Sequence, residues 1–270
     1  MQSRMDSVEG RGGGVTVNTM ATVPPYNLLR LQHTFEDIIL CIDTDRQMET
    51  EMKSMGAKGQ ALTRMDSVKQ AILLFVHAKL AINPNHRFTL ASLGHSATWR
   101  LREFTNDIGK IRVAVTGLAA DALYLRSDLT HLFKMAATEA KSSRAQCRTL
   151  RVVLIYCRSS IVPDYPSHWP ESQRLFCLDV LYLHDKPSRD NCPQKVYDAL
   201  VDALECVSEH EGYIFENGAG LTRVLFQLTC ILLSHPQQRC PQDDIKIPKS
   251  LKKPPPSDAI PGSASSQKES

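Results

Sequence analysis

Apolar residues recur along this chain at two different spacings. Asp37–Asp43 (DIILCID) is a continuous apolar, β-rich run that ends in polar side chains, the pattern of a strand covered on both faces. Arg64–Ile82 (RMDSVKQAILLFVHAKLAI) instead places Val68, Ile72, Phe75, Val76 and Leu80 at helical spacing. Thr63 or Asp66 can cap the start of that helix, and Asn83-Pro84 ends it. Arg87–Gly94 and Ala97–Leu101 stand two residues apart and predict a hairpin. Asp107–Gly117 and Ser127–Lys141 read as helices, Arg151–Cys157 and Cys177–His184 as buried strands. Pro193–Val207 reads as a helix, Tyr213–Asn217 as a short strand and Leu221–Leu233 as a last amphipathic helix. Strands alternating with helices predict an α/β fold: a doubly wound, mostly parallel sheet with one antiparallel hairpin strand and helices on both faces. In such sheets sites form beyond the carboxyl ends of the strands, here Asp43–Gln47, Cys157–Glu171 and His184–Arg189.

Composition changes the picture at the two ends. Residues 1–33 begin with a Gly- and Pro-containing stretch, and residues 242–270 are rich in Lys, Pro and Ser. Both are expected to be disordered, because they bury too little apolar surface to offset the entropy of ordering. Residues 34–233 remain as one domain, followed by a short peptide, residues 234–241. The net charge of +3 is spread evenly: residues 1–30 hold three Arg against two acids, and residues 243–270 hold five Lys against four acids. With no concentrated basic stripe in the core, direct nucleic-acid binding is not expected. No apolar run approaches a membrane span or follows a basic start, so neither a membrane segment nor a signal peptide is expected. The eight cysteines come no closer than ten residues apart, too far for the paired spacing of a zinc ribbon. Cys41, Cys157 and Cys177 read as core thiols.

The strongest chemical signal is Asp43-Thr44-Asp45-Arg46-Gln47, two carboxylates two residues apart at a strand end. One reading is a haloacid-dehalogenase-like phosphatase, in which Asp43 attacks phosphorus and Asp45 is the general acid. That pattern ends in Thr or Val where Gln47 stands. A second reading is the metal-ion-dependent adhesion site of von Willebrand A domains, D-x-S-x-S. Asp43 fits it, but Asp45 and Gln47 replace both hydroxyls, and the later Asp falls on Cys157 or Arg158, whose guanidinium would repel a divalent cation. The third reading is structural: Asp43 and Asp45 accept backbone N–H bonds or cap a helix, with Arg158 as partner. The expectation is a degenerate site made of Asp43, Asp45, Gln47 and Arg158, with no catalytic residue, metal or cofactor.

Three further features bear on function. The loop Cys157–Glu171 carries Tyr165 and Trp169 among prolines, a composition suited to an interface or to packing on its own domain. His184-Asp185 looks like half a triad, but no G-x-S-x-G motif supplies a nucleophile. Ser234–Pro241 (SHPQQRCP) reads either as a helix stop or as an extended peptide clasped by a partner, with Arg239 as its anchor.

In order along the chain, DIILCIDTDRQM, INPNHRFTLA, SATWRL, VVLIYCRS, LDVLYLHD and LLSHPQQRCP resemble blocks of the von Willebrand A-like scaffold subunit shared by the BRISC and BRCA-one-A deubiquitinase complexes. The resemblance runs from about residue 36 to 241, and VVLIYCRS and LLSHPQQR are its most specific blocks. It implies a von Willebrand A-like fold and a non-catalytic adaptor in ubiquitin signalling and the DNA-damage response, cytoplasmic and nuclear. The direct partner it implies is a ubiquitin-E2-variant subunit. The same complex holds a JAMM isopeptidase, specific for lysine-sixty-three linkages, and its pseudo-isopeptidase scaffold. The expected docking residues are His235, Pro236, Gln238, Arg239 and Pro241, with Tyr165 and Trp169. A phosphatase using Asp43 and Asp45 is the alternative.

Overall fold

Strand β1 (Phe35–Asp43) is buried along its whole length after Phe35, and its side chains divide between two cores. Ile38, Leu40 and Ile42 enter one apolar cluster, Ile39 and Cys41 the other, as the two-residue period of a strand requires. The computed structural model describes residues 35–53, 61–120 and 122–245. The expected disorder of residues 1–33 therefore lies outside the described residues, as does that of the tail beyond Ile245.

After β1 come a short 3-10 turn (Arg46–Glu49) and two minimal antiparallel strands, β2 (Glu51–Met52) and β3 (Leu62–Thr63). Helix α1 (Arg64–Ile82) begins with a capping box. Thr63 Oγ1 accepts the Asp66 N–H at 3.0 Å, and Asp66 Oδ2 accepts the Thr63 N–H at 3.3 Å, satisfying donors that a helix start leaves open. Asn83 ends the helix in an extended conformation ahead of Pro84. Then follow β4 (Arg87–Leu93), β5 (Ala97–Thr105), α2 (Ile108–Thr116), α3 (Thr130–Ala145), β6 (Arg148–Tyr156), β7 (Phe176–Leu183), α4 (Pro193–Val207), β8 (Ile214–Asn217) and α5 (Thr222–Ile231).

The six-stranded sheet runs β5-β4-β1-β6-β7-β8. All neighbours are parallel except β4 and β5, which form the expected hairpin. Helices α1, α2 and α5 cover one face and α3 and α4 the other. The architecture is the mostly parallel α/β sheet that the sequence pattern predicts. The chain moves from β1 to β4 across one face and returns to β6, on the other side of β1, across the opposite face. The strand order therefore reverses at β1, opening a crevice at the carboxyl ends of β4, β1 and β6.

The packed body does not stop at Leu233. Residues 234–245 fold back along the amino-terminal ends of β6 and β7 and over the edge of β8. Arg151 Nη2 donates to the Leu232 carbonyl at 2.6 Å, and Tyr213 Oη donates to the Cys240 carbonyl at 2.8 Å. The Gln242 amide pairs with both Ile214 N and Ile214 O at 2.8 Å, standing in for a further strand. Ile245 packs against the core. The packed contacts thus continue twelve residues past Leu233, to Ile245. A segment with two prolines and no apolar period shows no sign in sequence of the polar contacts that hold it.

Candidate functional site: a guanidinium at the strand-order reversal

Asp43 closes β1 inside the crevice, and Arg158 follows β6, the neighbouring strand. Both side chains are 0% exposed. Arg158 Nη2 lies 2.9 Å from Asp43 Oδ1, and Nε lies 3.1 Å from Oδ2 and 3.2 Å from Oδ1. The remaining donors reach backbone carbonyls: Nη1 bonds Arg126 O at 2.7 Å, and Nη2 bonds Leu93 O at 3.3 Å and Gly94 O. Tyr124 and Tyr156 present their rings to the guanidinium at 5.1 and 5.7 Å. One planar cation thereby ties the ends of β1, β4 and β6 to the loop before α3.

Both Asp43 oxygens also accept backbone N–H groups, Oδ1 from Asp45 at 3.0 Å and Oδ2 from Cys157 at 3.2 Å. Burial disfavours charge on either partner, and it pushes the Asp43 carboxyl up. Against burial, Asp43 raises the hold of Arg158 on its proton. With N–H donors on both oxygens no carboxyl hydrogen has a place, so the pair is ionic.

The other residues of the predicted degenerate site assemble around this pair as staples between loops. Asp45 Oδ1 caps the 3-10 turn through Gln47 N at 2.9 Å, and Oδ2 accepts the Tyr124 N–H at 2.9 Å. Gln47 Oε1 accepts the Ser159 N–H at 3.0 Å. The three side chains at the positions of a D-x-S-x-S motif thus each accept a backbone N–H from another loop. The structure brings Asp43, Asp45, Gln47 and Arg158 together, and the cation at their centre is Arg158.

His184 and Asp185 do not form a dyad. His184 Nδ1 lies 2.8 Å from the Asp185 carbonyl, and its ring stacks on Tyr182 at 4.8 Å. The Asp185 carboxylate pairs with the buried Arg64 at 2.6 Å. Ser159 Oγ accepts the Asp185 N–H at 2.9 Å. Trp169 is buried, edge-on to Phe133 at 6.1 Å, with its indole N–H on Gln173 O. Of the two expected interface aromatics, Trp169 packs on its own domain, and Tyr165 is half-buried with its hydroxyl 3.2 Å from Asp202.

At the opposite end of the sheet lies a second buried charge network that sequence reading missed. Asp179, in mid-β7, receives Arg151 Nε at 2.6 Å and both Arg239 Nη atoms at 2.6 and 2.8 Å. Arg239 stacks on the Tyr213 ring at 4.4 Å. Arg151 continues to Glu36 at 3.4 Å, and Glu36 pairs with the buried Lys79. Burial works against the Asp179 carboxylate, but Arg151 and Arg239 outweigh it and hold its pKa below the usual range. Nearby, burial pushes the Cys177 thiol up to about 12. The expectation that Arg239 points outward as a partner's anchor is therefore corrected. Its side chain is 0% exposed and its Nη donors are engaged within the chain. His235 and Pro236 are buried too, whereas Gln238 and Pro241 face solvent. A lone Asp in CLDVLYL and an Arg opening RVVLIY were the available signals, since buried charges require partners. Their partner sixty residues away was not readable.

Among the described residues no helix is long and apolar enough to cross a membrane. None of the protein-family models matches the chain, and no curated protein matches it. Among solved structures it is similar to the PilB minor pilin from Streptococcus sanguinis, with 12% identity and a TM-score of 0.48 over 74% of this chain and 62% of that chain. It thus spans less than two thirds of the pilin's length. It is also similar to the SpRpn10 VWA domain, with 17% identity and a TM-score of 0.45 over 72% of this chain and 95% of that one. The TFIIH p34 N-terminal domain matches with 14% identity and a TM-score of 0.46 over 71% and 96%. Likeness of this degree concerns the layout of sheet and helices alone.

Proposed function

We propose that this chain is a non-catalytic scaffold subunit, and that it belongs to the family holding together the BRISC and BRCA-one-A deubiquitinase assemblies. The observation that carries the non-catalytic reading is the Arg158 guanidinium bound to Asp43 at the strand-order reversal, where an active α/β domain of this kind keeps an open site. A carboxylate that accepts two backbone N–H bonds and a bidentate guanidinium with no exposure has no free lone pair to offer phosphorus or a metal. The family assignment rests on the ordered sequence blocks, above all VVLIYCRS and LLSHPQQR. VVLIYCRS contains Arg158 itself. In this reading the chain binds a ubiquitin-E2-variant subunit and works beside a JAMM isopeptidase in cytoplasm and nucleus. Arg239 acts from inside, fixing the backbone of residues 234–241 so that Gln238 and Pro241 are presented outward.

Affinity purification of the tagged full chain from cells tests the proposal. A JAMM isopeptidase and an E2-variant subunit in the eluate are the expected result. Their absence overturns the family assignment. Phosphate-ester hydrolysis by the purified chain, lost in Asp43→Asn, overturns the non-catalytic reading in favour of the phosphatase.

A further inference from the structure

Helix α4, the turn between α4 and β8, the outer edge of β8 and Gln242-Asp243 enclose an open groove of about 510 Å³. Val201, Leu204 and Ile214 give it an apolar floor. Its rim is acidic: Glu205, Glu211 and Asp243 are exposed. Glu209, also on the rim, is paired with Arg144 at 2.6 Å. Glu205 and Asp243 join no salt bridge among the described residues. Among the lining residues only His210 could carry positive charge. Of the rim acids, Asp243 acts on the Tyr197 hydroxyl on the groove wall. Burial raises its pKa, and Glu216, Asp198 and Asp243 raise it further.

The described chain ends at Ile245, two residues after Asp243 on this rim. The next eight residues, Lys246–Lys253 (KIPKSLKK), hold four lysines, two large aliphatic residues and no acid. We propose that this groove is the seat of the chain's own Lys246–Lys253, its lysines on the acidic rim and Ile247 and Leu251 on the floor. Reach is no obstacle, because consecutive Cα atoms are about 3.8 Å apart and eight extended residues span roughly 26 Å. A tether this short holds the segment at an effective concentration on the order of millimolar, so even modest contacts keep the groove occupied. The attraction is between exposed charges and weakens with salt.

The test uses the full chain and the synthetic peptide KIPKSLKK as probe. In the variant Lys246→Gln/Lys249→Gln/Lys252→Gln/Lys253→Gln the groove is vacated, so the peptide should bind at least tenfold more tightly than to the parent. Adding Glu205→Lys and Asp243→Lys to that variant should remove the gain. Carbodiimide coupling of the dilute parent should join Glu205 or Asp243 to a lysine of residues 246–253 in the same chain. This last readout stands even if a charge-reversed variant fails to fold. Equal peptide affinity for parent and vacated variant overturns the proposal. Cross-links that join two chains also overturn it, showing a second copy in the groove, and so does an acidic rim that couples to no lysine.

Discussion

Arg158 Nη2 and Asp43 Oδ1 lie 2.9 Å apart with neither side chain exposed, although 115 residues separate them in sequence. The contact joins the carboxyl ends of two adjacent parallel strands at the point where strand order reverses. Loss of the cation leaves a buried carboxylate without its counter-charge. Breaking such a pair typically costs about 3–5 kcal/mol. Arg158→Met should therefore lower stability to urea by about that much, while Arg158→Met/Asp43→Asn should recover part of the loss. A double-mutant cycle measures the coupling. Additive single effects would show that the pair is not energetically linked.

Divalent cations should leave the parent's melting temperature unchanged at millimolar magnesium or manganese. A ligand stabilises in proportion to ln(1 + [L]/Kd), and the seat on Asp43 is taken by Arg158. A dose-dependent rise in Tm that Asp43→Ala abolishes would refute this.

Arg239→Ala should unfold at markedly lower urea than the parent, by about 3–5 kcal/mol, because Asp179 loses one of its two guanidinium partners in a site of no exposure. An Arg239 that served only as an outward anchor would leave the unfolding curve in place and weaken partner binding alone. Urea denaturation followed by circular dichroism separates the two outcomes.

His86 should make stability depend on pH in mild acid. Its Nδ1 accepts the Glu36 N–H at 3.0 Å, so the ring is neutral in the fold. Burial, with Lys79 adding to it, lowers its pKa from 6.5 to about 4. Between those values the unfolded chain binds a proton that the folded chain does not. The stabilisation is complete above pH 6.5 and is lost progressively as pH falls towards 4. Glu36 and Asp179, whose pKa values are lowered by their cationic partners, act in the same direction further into acid, below the ordinary carboxylate range. Urea midpoints at pH 7.5 and pH 5 for the parent and His86→Gln check this. A slope that persists unchanged in His86→Gln would assign it to another group.

What sequence determined here is what neighbouring residues decide among themselves. Helix α1 is bounded by its own capping box and by Asn83-Pro84, and α4 by Pro193 and the loss of helical spacing after Val207. The alternation of strand and helix periods specified a doubly wound sheet, and Asp43 at a strand end marked where its crevice would lie. The degenerate set Asp43, Asp45, Gln47 and Arg158 was legible because each residue type could be weighed against metal chemistry at a known strand end. Only the tertiary structure decided that Arg158 occupies the centre of that set, since this depends on β6 lying beside β1 and on the Leu93, Gly94 and Arg126 carbonyls that finish its coordination. Only it turned Trp169 onto Phe133, and Arg239 inward onto Asp179 rather than outward to a partner. The physical reason is one of range. Propensity and capping act over a few residues, whereas a buried charge is stabilised by whichever opposite charge the fold brings within about 3 Å, at any distance along the chain.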